Sequence, residues 1–471
     1  MTARQASPLD ALQERRRVFG REVLGPIFFT YAHRLRLHLQ GLQAQHPTGL
    51  ALFCARGGLR LRLLYDLYCS KLGIESPWPA RDFYVSRIAA VRAGLAADYP
   101  TARGLFVSAL PDASERQLLA ALLAGSRHAA DDFLPQHPRG PEPLCDVGLV
   151  LDRLRDGAHP AADAVMTHTA DQHRLFHAYT AGLMGDSGAI ALCDSGLRCT
   201  VQIVLSQMFS DREWFGLLLG CLRRAAAAEH YPRLYGMLFD IDFHRDASRR
   251  STFIRHWELV EHVLEPRTAT TSFYEPDPSE STRVTSDAMR GYSATSIAEG
   301  NPFFSGVLEY FEHEGPDSVT ARSGRVYAAY ETALTRLDRA FAFPSSRDVE
   351  MLNVINHDPG FGMTYTYTSA TAAASPTCLS DKIARVQASP WPHGQARLEF
   401  GRWAPVVQAA LYRPKIVVRA ASILGGCVHG LQLLAARAAV VTRQAVGCLV
   451  PRRVPDSSAV AESATCRHPA P

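Results

Sequence analysis

Lysine is almost missing from this chain of 471 residues. Lys71, Lys382 and Lys415 are the only three among 50 basic Lys and Arg residues, so its positive charge is carried by arginine. The bias, together with abundant alanine, matches a GC-rich genome and carries no functional weight. Blocks of like charge are missing too: 50 basic and 46 acidic residues are interspersed to a net charge of only +4, which excludes an electrostatic footprint for nucleic acid. None of the ten cysteines forms a C-x-x-C pair, and several sit inside apolar runs. That pattern excludes a structural zinc site and a disulfide framework and reads as reduced core thiols.

The common phosphate and nucleophile signatures are also lacking. There is no P-loop, no G-x-G-x-x-G and no G-x-S-x-G elbow. Residues 1–17 are polar with an arginine cluster and have no apolar segment behind them, so a cytoplasmic location is expected. The most apolar stretch, Ala420–Val441, is interrupted by Gln432, Arg437 and three glycines. It falls short of the roughly 20 uninterrupted apolar residues a span needs and is expected to be a helix packed on the domain or on a membrane surface.

What is present is a recurring change of hydrophobic period. Short apolar runs at Leu50–Cys54, Asp82–Ser86, Ala189–Cys193, Phe215–Leu219 and Leu234–Phe239 predict strands, and most are followed by segments of helical spacing. The fold expected is α/β: a Rossmann-like, mostly parallel sheet with helices on both faces, plus a helical C-terminal region. The first helix should cover Leu24–Leu39 behind Gly25-Pro26, and others Arg87–Ala97, Glu115–Ser126, Val147–Leu154, Ala170–Leu183, Thr200–Phe209 and Cys221–Glu229. The expected organisation is a Rossmann-like region over 1–265, divided into lobes near residue 160, and a loop-rich excursion over 266–302. A mainly helical region over 303–450 and a disordered tail over 451–471 complete it.

Open α/β sheets bind ligands at the carboxyl ends of their strands, where backbone amides and helix N-termini favour anions. Two turns fit. In Ala55-Arg56-Gly57-Gly58 the glycines would let backbone approach a ligand while Arg56 clamps a phosphate or carboxylate, the alternative being an ordinary turn with Arg56 in solvent. In Asp194-Ser195-Gly196-Leu197-Arg198 the acid following a strand could be base, nucleophile or metal ligand, or a helix N-cap. Ser86-Arg87 would add a second guanidinium. Arg56, Arg87 and Asp194 should then share one edge of the sheet, and two guanidiniums should lower the pKa of Asp194. His173 and His177 could share a helix face near His168, but no carboxylate is placed among them as in known zinc motifs, so no metal is expected.

Taken in order, Gly25-Pro26, LALFCARGG (50–58), FYVSR (83–87), ALCDSGLRCTVQ (191–202) and LYGMLFD (234–240) resemble blocks of predicted hydrolases of the haloacid dehalogenase superfamily. Those bacterial proteins are often encoded among polysaccharide and glycosyltransferase genes, and the likeness covers roughly residues 20–265. The resemblance implies a role in surface-polysaccharide assembly, a phosphorylated sugar or nucleotide-sugar ligand, and weak or lost hydrolase activity centred on Asp194. It implies, as an alternative, a non-catalytic partner of a glycosyltransferase. The chain departs from the pattern at Arg56-Gly57-Gly58, where the family has Arg-Asp-Gly, and it lacks the upstream aspartate pair. Asp240 and Asp242 in LFDIDFH superficially supply a substitute Asp-x-Asp without the Gly-Thr that should follow, which leaves a metal-dependent phosphatase as a further alternative. No cofactor follows from any of these residues.

Overall fold

The computed structural model describes residues 7–134, 142–198, 200–222, 233–245, 248–266, 269–277, 280–291, 293–314, 322–358, 365–371 and 378–412. The described residues form two compact units, one of those up to residue 371 with 389–391, the other of 378–388 with 392–412.

The first unit is built on five parallel strands, β1 (Gly49–Cys54), β2 (Ala80–Phe83), β3 (Ala189–Asp194), β4 (Glu213–Cys221) and β5 (Leu234–Asp240), in the order β2-β1-β3-β4-β5. The Rossmann-like α/β expectation is therefore met. Side chains alternate across this sheet as a period of two requires. Ala51, Phe53, Ala191, Cys193, Phe215 and Leu217 enter one core, whereas Leu50, Leu52, Cys54, Ile190, Leu192 and Leu218 enter another. Strands buried on both faces need unbroken apolar runs, which is why β1 and β3 are legible as LALFC and AIALC.

Two layers of helices cover those faces. Helices α1 (Pro8–Phe19), α2 (Gly25–Gln45) and α3 (Gly57–Leu72) come first in the chain. The next six are α4 (Arg87–Ala97), α5 (Tyr99–Ala109), α6 (Glu115–Leu122), α7 (Val147–Arg155), α8 (Ala162–Met184) and α9 (Thr200–Met208). They are followed by α10 (Thr252–Arg255), α11 (Trp257–Leu264), α12 (Ala294–Ala298), α13 (Pro302–Glu309), α14 (Arg322–Ala342) and α15 (Ser346–Leu352). The first core joins α2, α3, α11, α13 and α14; the second joins α4 to α9. Because α13 and α14 share a core with α2 and β1, residues 303–354 belong to the same body as the sheet.

Several local expectations are corrected. The second strand ends at Phe83, and Ser86 lies beyond it as the N-cap of α4, accepting from the Ala89 amide at 3.2 Å. Cys221 closes β4 rather than opening a helix, and 223–232 lie outside the described residues. The excursion at 266–302 holds an antiparallel hairpin, β6 (Tyr274–Asp277) with β7 (Glu280–Ser286), and α12. Tyr274 anchors it: fully buried, it lies 5.2 and 5.1 Å from the rings of Phe176 and Tyr179 and donates to the Tyr84 carbonyl at 2.8 Å. A second short antiparallel pair, β8 (Ile355–Asp358) with β9 (Tyr365–Thr368), interrupts the region 303–450 that was expected to be mainly helical. Its Thr and Tyr composition suits strands, but four residues are too few to establish a period.

The second unit contains α16 (Leu379–Ala388), α17 (Pro392–Phe400) and α18 (Ala404–Tyr412). Ile383, Val386, Ala396 and Ala404 form its small core, and Arg385 grips Glu399 at 2.6 Å. Ala420–Val441 and the 451–471 tail lie outside the described residues. No described helix is long and apolar enough to cross a membrane.

Candidate functional site at the switch point of the sheet

In the order β2-β1-β3 the connections from β1 and β3 leave in opposite directions, and a crevice opens between their carboxyl ends. A cleft of about 350 Å³ lies there. The turn after β1 contributes Ala55, Arg56 and Gly57, the exit from β2 contributes Ser86 and Arg87, and the turn after β3 contributes Asp194 to Arg198. Arg56, Arg87 and Asp194, far apart in sequence, thus line one cleft. The opposite wall comes from α11 and the segment after it: Trp257, Glu261, Glu265 and Thr270.

The glycines serve a different purpose from the one expected. A Cβ at Gly57 would stand 2.2 Å from Ser195 Oγ and 2.8 Å from Ser195 Cβ, and one at Gly58 2.9 Å from the Phe53 carbonyl carbon and 3.1 Å from the Cys193 carbonyl oxygen. The space they leave is filled by protein, letting α3 start hard against β1 and the β3 turn. At Gly196 a Cβ would lie 2.7 Å from Asp194 Oδ2, so this glycine lets the carboxylate fold back over its own turn. Helix α9 begins only at Thr200, so neither Asp194 nor Ser195 is its N-cap.

Asp194 is half-buried. Burial pushes its carboxyl above the ordinary aspartate range, against the opposing pull of the Gly196 amide, the Arg87 guanidinium and the Ser195 amide. The expectation of a lowered pKa is corrected: desolvation outweighs the cations. One reason is that Arg56, whose side chain is only 12% exposed, is engaged by Glu265 in an ion pair. Ser86 is also occupied, donating to the Thr271 carbonyl at 2.6 Å while it caps α4. Arg87 and Arg198 are exposed at the cleft.

Trp257, Glu261 and Glu265 were not singled out from the sequence, although their spacing of four residues places them on one helical face. That repeat was the available signal. The Trp257 indole N–H donates to Glu261 Oε1 at 2.7 Å, which fixes both side chains on the wall.

Other candidates fall elsewhere. Asp240 ends β5 at the edge of the sheet, and its carboxylate accepts from the amides of Gly236 at 3.2 Å and Asp242 at 3.0 Å. Neither acid lines the switch-point cleft. A ring nitrogen of His168 meets the Ala124 carbonyl at 3.0 Å, one of His173 meets the Ala93 carbonyl at 3.1 Å, and His177 stacks on Phe209 at 4.5 Å. Among the described residues no three His, Cys, Asp or Glu side chains gather as a metal site would require.

The fold and cleft define an open α/β protein with a crevice at its topological switch point. No protein-family model matches the chain, and no curated protein matches it, so its function has to be argued from this geometry.

Proposed function

We propose that the cleft binds a phosphorylated sugar or nucleotide-sugar, and that the protein serves surface-polysaccharide assembly as a haloacid-dehalogenase-like member with weak or lost hydrolase activity. The observation that carries the ligand class is the meeting of Arg87, Arg198 and the first turn of α4 with Asp194 in a single cleft. Guanidiniums and first-turn amides suit phosphate oxygens. A carboxyl beside them whose pKa burial raises is a better proton acceptor than an ordinary aspartate and suits proton exchange with a ligand hydroxyl. The role in polysaccharide assembly rests on the five sequence blocks. The loss of hydrolysis rests on Arg56-Gly57-Gly58, where no acid ends the first strand.

Titration calorimetry of the whole chain with inorganic phosphate, hexose 1-phosphates and UDP-glucose tests this reading. Binding of at least one is expected, with Arg87→Ala weakening it about tenfold, the worth of one charge-assisted hydrogen bond. No binding of any of them at millimolar concentration by folded protein would overturn it.

Asp194→Asn separates the proposed role from stability. The folded pKa lies above the unfolded one, so the native state binds more protons between those two values and stability falls as pH rises through that window. Above it the desolvation penalty is fully present. The variant should therefore melt higher than the parent at pH 7, by on the order of 1–2 °C given the partial exposure, and the gain should vanish near pH 4. A lower melting temperature at pH 7 would show instead that the ionised carboxylate stabilises its turn.

A further inference from the structure

The cleft is chemically divided. On one side stand Arg87 and Arg198; on the other, α11 and its C-cap present an indole and two carboxylates at four-residue spacing, Trp257, Glu261 and Glu265. This second wall does not suit a phosphate: Glu261 would repel it, and the cation there, Arg56, is held by Glu265. Nor is it a loose solvated face, because Glu261 holds the indole at 2.7 Å and Arg56 holds Glu265.

Resting on the ligand class proposed above, we infer that the α11 wall is a hexose subsite and that the preferred ligand is a monosaccharide phosphate rather than a nucleotide-sugar. Carboxylates accept hydrogen bonds from the neutral hydroxyls of a pyranose, and an indole covers its apolar C–H face. Their combination on one helix face matches a ring that is polar at its rim and apolar on its flat side. Size makes the choice between the two ligand types. Small-molecule pockets run from about 300 to 1,000 Å³, and this cleft, at about 350 Å³, is near the small end. That space suits one hexose and its phosphate. A nucleotide-sugar would leave its base, ribose and second phosphate outside.

The test is calorimetry on the whole chain and on its Trp257→Leu and Glu261→Gln variants. Four probe types are used: inorganic phosphate; glucose, galactose and mannose 1-phosphates; N-acetylglucosamine 1-phosphate; and UDP-glucose. At least one hexose 1-phosphate is expected to bind about tenfold or more tighter than both inorganic phosphate and UDP-glucose. Each variant should remove about tenfold of that advantage, the order of one aromatic or hydrogen-bonded contact, while leaving phosphate affinity within about twofold. Glu261→Gln is isosteric and keeps the test open should the leucine variant fold poorly. Phosphate binding with no gain from any hexose, tighter binding of UDP-glucose, or equal loss of phosphate and sugar phosphate in the variants would each overturn the subsite. Failure of every probe, phosphate included, would instead remove the ligand class on which it stands.

Discussion

Replacing Arg92 with methionine should destabilise the first unit by about 3–5 kcal/mol, the scale of several buried neutral acceptors losing their donor at once. Arg92 lies on α4 and is fully buried. Its Nη1 donates to the carbonyls of Ala121 at 3.2 Å and Ala124 at 3.1 Å, while Nη2 donates to Gln172 Oε1 at 3.3 Å and to the Ser272 carbonyl. Gln172 in turn brackets the backbone of Tyr274, accepting from its amide at 2.8 Å and donating to its carbonyl at 3.0 Å. One guanidinium therefore joins the end of α6, α8 and the approach to the β6–β7 hairpin. Burial pulls its pKa down to about 10, which still leaves it charged at neutral pH, surrounded chiefly by carbonyl dipoles. Methionine would restore much of the volume, but it would leave carbonyls facing apolar atoms at about 1–3 kcal/mol each. Lysine would keep the charge but not the fork that spans these acceptors, so Arg92→Lys should fall between parent and methionine variant. Urea unfolding followed by circular dichroism checks the order; a methionine variant with the parent's midpoint would sink the argument.

How much of this could be read from the sequence depended on how strongly burial constrained each segment. β1, β3 and β5 were legible because strands covered on both faces leave no room for polar interruption, and LALFC, AIALC and LYGMLF show none. β2 begins two residues before the apolar signal because ARDF is an edge strand with one buried side chain, whereas the apolar residues that follow belong to the turn into α4. The hairpin at 274–286 leaves no local signal for another reason: its order comes from Tyr274, Gln172 and Arg92, contacts across about 100 and 180 residues of sequence that no local pattern encodes.

The candidate site divides the same way. Arg56, Arg87 and Asp194 could be grouped in advance because parallel strands direct all their carboxyl ends to one edge, which is a topological constraint. Their electrostatics could not be read so. Whether Asp194 is raised or lowered depends on how deeply its carboxyl sits and on which cations remain uncommitted, and the ion pair of Arg56 with Glu265 joins residues 209 positions apart. The role of Gly57 and Gly58 was likewise hidden: a glycine that admits a ligand and one that admits another part of the chain look identical in one dimension.

That difference can be measured at Gly57. Alanine is the better helix former by about 1 kcal/mol, so at the start of α3 propensity alone would make Gly57→Ala stabilising. The structure predicts the opposite. The new methyl would fall 2.2 Å from Ser195 Oγ and 2.8 Å from its Cβ. Rotating the hydroxyl relieves only the first contact; the second requires the β3 turn to move, and with it the backbone that aims Asp194. Overpacking of this kind should destabilise by about 1–3 kcal/mol net of the propensity gain. Ser195→Gly removes both clashing atoms, leaving the Leu264 Cβ at an ordinary 3.7 Å as the nearest neighbour. The double variant Gly57→Ala with Ser195→Gly should therefore recover most of the loss, with a coupling of about 1–3 kcal/mol between the two positions in a double-mutant cycle. If Gly57→Ala stabilises, or if the two changes simply add, the β1 and β3 turns are not in contact at Gly57, and the glycine is free to have been kept for a ligand.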